Sequence, residues 1–278
     1  WSRGLGDVYK RQAVVFVMMR FVIAGLLLLI FVPKTWQGLK DREVWKGGLI
    51  LGVIVWGGFI LQMLGLTDVT PAVSAFLTSL YVVFTALIGV ALGMQKMTRF
   101  AILGVLLATF GAGWISGPPQ LNFGLGEWLT VGCAFLFGAH IIATDRVTKV
   151  VDPIQVTATM LITVATLSVA VYLAVSREFT GEFVALLKEF DFTFPLMLCA
   201  VLGSLVALLV LNIFQKQVTP VRAAILYALE PVWAMLGSLV LGLEGDVTFW
   251  LPVGAAALLI GNLVVEYEQI SRSNDESE

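Results

Sequence analysis

The chain has 278 residues, 59% of them apolar and only 13% charged, with a formal net charge of −2. A soluble domain carries roughly 25% charge, so this composition excludes a water-soluble globule, and the lack of a basic cluster argues against nucleic acid as a partner. Cys133 and Cys199 each sit inside an apolar run and read as small core residues rather than a disulfide or metal pair.

In chain order, Asp7-Val8-Tyr9-Lys10-Arg11-Gln12 matches an in-frame translation of the transposon mosaic-end adapter used in sequencing libraries. Residues 1–12 are therefore set aside as non-native, a native basic tail being the alternative. Nine apolar segments are then long enough to cross a bilayer, at roughly 20 residues each. They fall near 13–32, 47–66, 72–92, 100–117, 127–146, 154–175, 194–214, 221–242 and 250–267. Short connections with turn chemistry join them, such as Val32-Pro33-Lys34, Gly117-Pro118-Pro119 and Asp152-Pro153. The longer segment 176–193 reads as an amphipathic surface stretch or short lid, and 271–278 as a polar tail without structure.

Charge sets the expected orientation. Lys34, Lys40, Arg42, Lys46, Lys96, Arg99, Arg146, Lys149, Lys216 and Arg222 fall in connections on one side, whereas the other side holds only Arg177 and Lys188. Excess Lys and Arg marks the cytoplasmic face, which places the C-terminus in the cytoplasm. Asp145 and Arg146, at the cytoplasmic end of a span, are expected to be solvated.

The chain also repeats itself. LQMLGLTDVTPAVSAFLTSLYVVFTALIGVALG (61–93) matches VLNIFQKQVTPVRAAILYALEPVWAMLGSLVLG (210–242) at a constant offset of 149. Thr70-Pro71 falls on Thr219-Pro220, Leu77 on Leu226, Leu80 on Leu229 and Gly93 on Gly242; with a one-residue slip, Gly104 and Gly111 fall on Gly254 and Gly261. The first repeat is expected over 13–117 with four spans and the second over 127–267 with five. A fifth, first helix is expected to be missing from the front, the complete fold having ten. An odd number of helices per repeat inverts one half relative to the other, and inverted repeats place a substrate site near the bilayer midplane.

The stretch QKQVTPVRAAILYALEPVWAMLGSLVLGLE (215–244), with the Gly254–Gly261 helix behind it, resembles the EamA repeat of the drug/metabolite transporter superfamily. RFVIAGLLLLIF (20–31) and LQMLGLTDVTPAVSAFLTSLYVV (61–83) resemble the matching parts of the first repeat. The resemblance covers essentially all of 13–267, and Leu229-Glu230-Pro231-Val232 is its most specific piece. It implies an all-α polytopic membrane protein of ten helices with cytoplasmic termini, moving small metabolites or amino-acid-like solutes by alternating access. The chain departs from the pattern in lacking helix one.

Glu230 leads the candidate residues. A carboxylate halfway along a span costs on the order of 3 kcal/mol to insert, and burial favours the proton exchange a coupled transporter needs. Pro231 follows it and removes the helical donor of the Tyr227 carbonyl. At the 149 offset, Ser74, Thr78, Tyr81 and Thr85 fall on Ala223, Tyr227, Glu230 and Ala234. Their spacing puts each set on one helix face, so the stripes either oppose each other across a central cavity or mark close packing through small residues. Arg20 lies within the first span and can attract a substrate carboxylate, pair with Glu230 or snorkel to the interface. His140 is a proton relay or an interhelical donor. Trp56 and Gln62 are kept as lining residues; Asn212, Gln215 and Asn262 are noted and left aside.

No enzyme signature stands out: HExxH, a P-loop, GxSxG and a Cys/His metal cluster are all missing. No cofactor is implied. The sequence reads as a secondary transporter in the plasma (inner) membrane, with a small-molecule substrate and the lipid bilayer as partners, monomeric with a homodimer as the alternative. A non-transporting membrane protein (lipid-handling factor, sensor or scaffold) with a packed helical core is the competing function.

Overall fold

A computed structural model describes residues 2–69, 71–94, 97–114, 123–176, 187–229 and 249–275, and among these every regular element is helical. In chain order they are α1 (Ser2–Phe31), α2 (Thr35–Gly38), α3 (Arg42–Gly65), α4 (Pro71–Ser79), α5 (Tyr81–Ala91), α6 (Arg99–Trp114), α7 (Leu125–Val147) and α8 (Pro153–Ser176). There follow α9 (Phe190–Leu198), a π-helical segment (Cys199–Val206), α10 (Ala207–Phe214), a 3₁₀ turn (Gln215–Gln217), α11 (Pro220–Tyr227) and α12 (Trp250–Asp275). Among the described residues, five stretches are long and apolar enough to cross a membrane, and shorter apolar helices cover 15–31, 99–114 and 252–261.

The elements follow the expected spans within a few residues, with four differences. Helix α1 starts at Ser2, well ahead of 13. The span expected at 72–92 is broken at Leu80 into α4 and α5. Helix α12 continues through the polar residues to Asp275, since no Gly or Pro after Gly261 stops it. Asp145 is buried rather than solvated, its carboxylate 2.8 Å from Lys149 one turn on. Most of 221–242 and of 176–193 lies outside the described residues.

Two compact units interleave the chain: the first combines 1–63 with 143–217, the second 64–142 with 218–278. In the first unit, Gly48 and Gly52 on α3 lie against Thr159 and Thr163 on α8. A small residue every fourth position lets the backbones approach; a Cβ on Gly52 would sit 2.6 Å from that of Thr163. Thr159 adds a bond across the crossing, its hydroxyl donating to the Val44 carbonyl at 3.2 Å. The rising numbers on both helices make α3 and α8 parallel. Helix α1 runs antiparallel to α8, with Gly25 beside Leu161 and Met18 clustered with Tyr172.

Charges gather where α8 begins. The Asp152 carboxylate caps α8, accepting from the Ile154 and Gln155 N–H groups at 3.0 and 3.2 Å, and takes Lys34 Nζ at 2.6 Å. Partial burial pushes this carboxyl up. The Lys34 hydrogen bond, the Gln155 N–H, the Lys34 charge and the Ile154 N–H more than offset it and hold Asp152 below the ordinary carboxylate value.

In the second unit, α5, α6, α11 and α12 share a core of Val82, Ala86, Val105, Ala108, Ala224, Ile225 and Leu258. The four glycines matched by the repeat meet here. A Cβ on Gly111 would lie 2.5 Å from the Gly254 carbonyl oxygen, and one on Gly261 would lie 3.0 Å from that of Gly104. The pairing is reciprocal, each partner being the repeat equivalent of the other pair's member. Helices α6 and α12 are therefore antiparallel about a local two-fold, as isologous contacts require.

Candidate functional site

Charge is hardest to place in the middle of a span, so Arg20 locates the first cluster. Its Nε donates to the Ser204 hydroxyl and its Nη2 to the Gly203 carbonyl at 2.9 Å. The guanidinium also lies over the rings of Phe59 and Phe21, at 4.9 and 5.4 Å, a cation–π arrangement that offsets part of its desolvation. Its backbone acceptor lies in the π-helical segment. Pro195 lacks an N–H just before that segment, and wide helical turns of this kind recur at functional sites.

Further polar groups are buried in the same unit, on α3 and α8, which meet at Gly48–Thr159 and Gly52–Thr163. Arg20, between Met18 and Gly25 on α1, falls opposite the stretch of α8 between Tyr172 and Leu161, which holds Ser168. Trp56 Nε1 and Ser168 Oγ are both buried without a hydrogen-bond partner. Arg20, Ser204 and the Gly203 carbonyl thus form a polar belt linking α1 to the π-helical segment, and Trp56 and Ser168 are buried in the same unit. Sequence reading named Arg20 and Trp56 as candidates. It missed both serines, which an apolar span hides among ordinary small residues. Gln62 is partly buried, nearly two turns further along α3 than Trp56.

The second unit holds the hydroxyl stripe, His140 and Tyr227. Ser74 and Thr85 are buried, and Thr85 Oγ1 donates back to the Tyr81 carbonyl at 2.7 Å. Thr78 Oγ1 makes no hydrogen bond to an oxygen or nitrogen and has the Cys133 thiol beside it. Tyr81 and Tyr227 both pack against the shared apolar core, where Val82 and Ala86 meet Ala224 and Ala228. His140 is buried with Nε2 unpartnered. It stands two positions from Gly138, which lies against Tyr81 and Thr85, and so faces away from α5 at 100° per residue. Glu230 and Pro231 lie outside the described residues.

The break at Leu80 interrupts the stripe, leaving Ser74 and Thr78 on α4 and Tyr81 and Thr85 on α5. The Leu80 N–H bonds the Leu77 carbonyl at 3.3 Å, a tightened turn, and Ser79 Oγ donates to the Phe76 carbonyl at 2.6 Å. The second copy does the same at the same place: the Leu229 N–H bonds the Leu226 carbonyl at 3.2 Å. A helix interrupted within its span is the backbone feature on which secondary transporters build solute and ion sites.

Packed apolar helices, polar groups buried within apolar spans and an interrupted span are the features of a polytopic α-helical membrane protein of the transporter class. The chain belongs to the EamA-like transporter family, whose model matches residues 8–117 and 124–267. It is 29% identical over 227 residues to an uncharacterized transporter of Archaeoglobus fulgidus, covering 80% of this chain and 67% of that one. A solved crystal structure matches with a TM-score of 0.76 at 17% identity, covering 95% of this chain and 91% of the other, a likeness of fold. The protein is a multi-pass membrane transporter.

Proposed function

We propose that the chain moves small metabolites or amino-acid-like solutes across the plasma membrane by alternating access, with its C-terminus in the cytoplasm. One observation carries this reading: the belt of Arg20 and Ser204 between α1 and the π-helical segment of the first unit. A fixed positive charge within an apolar span is complementary to a carboxylate. The interruption at Leu80 supplies backbone that can re-form around a solute. Inverted ten-helix symmetry is supported by the antiparallel, two-fold crossing of α6 and α12. Proton coupling is assigned to Glu230, from its position halfway along the 221–242 span.

Uptake of radiolabelled amino acids and small organic acids into proteoliposomes tests the proposal. The wild-type chain accumulates a carboxylate solute. Arg20→Lys, which keeps the charge but loses the two-pronged geometry, raises KM about tenfold or more. Glu230→Gln abolishes the pH dependence of flux. If no member of the panel is taken up and Arg20→Ala simply melts lower, the belt is structural and the scaffold reading takes its place.

A further inference from the structure

The first unit carries a second polar cluster nearer the charged end of α8. Asn212 and Gln215 have no solvent-exposed surface. Asn212 Nδ2 donates to Thr157 Oγ1 at 2.7 Å, and that hydroxyl donates to the Pro153 carbonyl at 2.6 Å. Asn212 Oδ1 and both polar atoms of the Gln215 amide have no partner. Two acceptors and one amide donor are therefore buried on two side chains one turn apart, a state that proteins avoid unless something else completes the bonds.

The internal repeat provides a comparison within the same chain. At the 149 offset, Asn212 and Gln215 correspond to Met63 and Leu66. One copy of the helix is thus built with apolar side chains at these positions, so the helix itself does not require amides there. Thr157 lies five residues, about 7.5 Å, into α8 from the Asp152 cap, and Lys216, beside Gln215, is exposed. The cluster is one to two turns inside the rim of charges at that end. Ser204 is eleven residues from Gln215, roughly 16 Å along a helix, so one small solute cannot touch both this cluster and the Arg20 belt.

We propose that Thr157, Asn212 and Gln215 form a separate subsite that binds a neutral group able both to donate and to accept hydrogen bonds, of which a carboxamide is the simplest. Two amide oxygens take its N–H groups and the Gln215 N–H takes its carbonyl. The mixed donor and acceptor character argues against a metal-cation cage, which needs oxygens alone. This subsite rests on the transporter reading only for its role as a station on the solute's path; the binding itself does not.

Thermal melting of the purified full chain with acetamide as the probe tests the binding. Wild type is expected to gain melting temperature with acetamide and not with sodium chloride. Asn212→Met and Gln215→Leu, the residues of the internal copy, lose that gain, while Arg20→Lys keeps it. Gln215→Asn, a shorter amide, recovers part of it. Should the apolar variants melt higher than wild type and respond to acetamide as wild type does, the cluster holds ordered water only and the proposal is overturned. No response to acetamide in wild type overturns it equally, whatever the outcome of the uptake assay.

Discussion

Single residues in this protein are held by groups that burial leaves no water to replace. Asp152 shows the balance most plainly: it caps α8 and pairs with Lys34 from a site that is only partly buried. Replacement by Ala removes the cap and costs about 1 kcal/mol, and the exposed ion pair adds little. Because the folded carboxyl is held below its unfolded value of about 3.9, its contribution is present above that pH and is lost as pH falls through the folded pKa. The melting difference between wild type and Asp152→Asn should therefore be constant near neutrality and shrink below about pH 4. A difference that grows on acidification would contradict the cap-and-pair geometry.

Arg20 and Gln215 illustrate the other side of burial. One is a charge satisfied by a hydroxyl, a carbonyl and two rings; the other is a neutral amide left incomplete. In the sequence both are polar letters inside apolar runs, and Arg20 drew attention because a charge at depth is the costlier of the two. Gln215 carries no such signal, since nothing local distinguishes a packed glutamine from an incomplete one.

At the level of elements, glycine position separates close approach from backbone strain. Gly111 faces the Gly254 backbone at a distance no Cβ tolerates, so Gly111→Ala should force α6 and α12 apart and cost about 1–3 kcal/mol. Gly93 has open space around it but a φ of +66°. Gly93→Ala should cost about 1 kcal/mol through strain alone, and Gly93→Asn less, since Asn accepts this conformation. Melting of the three variants in detergent separates the two mechanisms; equal losses for Ala and Asn at 93 would argue against the strain account. The interruption at Leu80 makes a third case. Ser79→Ala removes the hydroxyl from the Phe76 carbonyl and should cost about 1 kcal/mol. The second copy, with Ala228 at this position, keeps its turn without such a hydroxyl, so hydrogen exchange should show the break persisting in the variant.

For the whole molecule, the helix directions read from close contacts agree with the alternation of Lys and Arg between spans. Helices α1 and α8 oppose each other, α3 and α8 run together, and α6 opposes α12. A reporter fused after Glu278 should be active only in the cytoplasm, and a periplasmic-type reporter there should stay silent. The opposite result would invert the assignment of every loop.

The sequence by itself determined the class and the helical spans that the described residues show, because each depends on local composition. Lipid imposes that legibility: a backbone that finds no water must close its hydrogen bonds within the helix, so a long apolar run has few alternatives. Only the tertiary structure decided which polar groups meet and which stay incomplete. Arg20 reaches Ser204 across 184 positions, and the Leu80 turn comes with the Ser79 hydroxyl bond to the Phe76 carbonyl rather than with any breaker residue at 80. Such partnerships depend on the rotation and depth of one helix against another, which small side chains such as Gly52 and Thr163 set through contact.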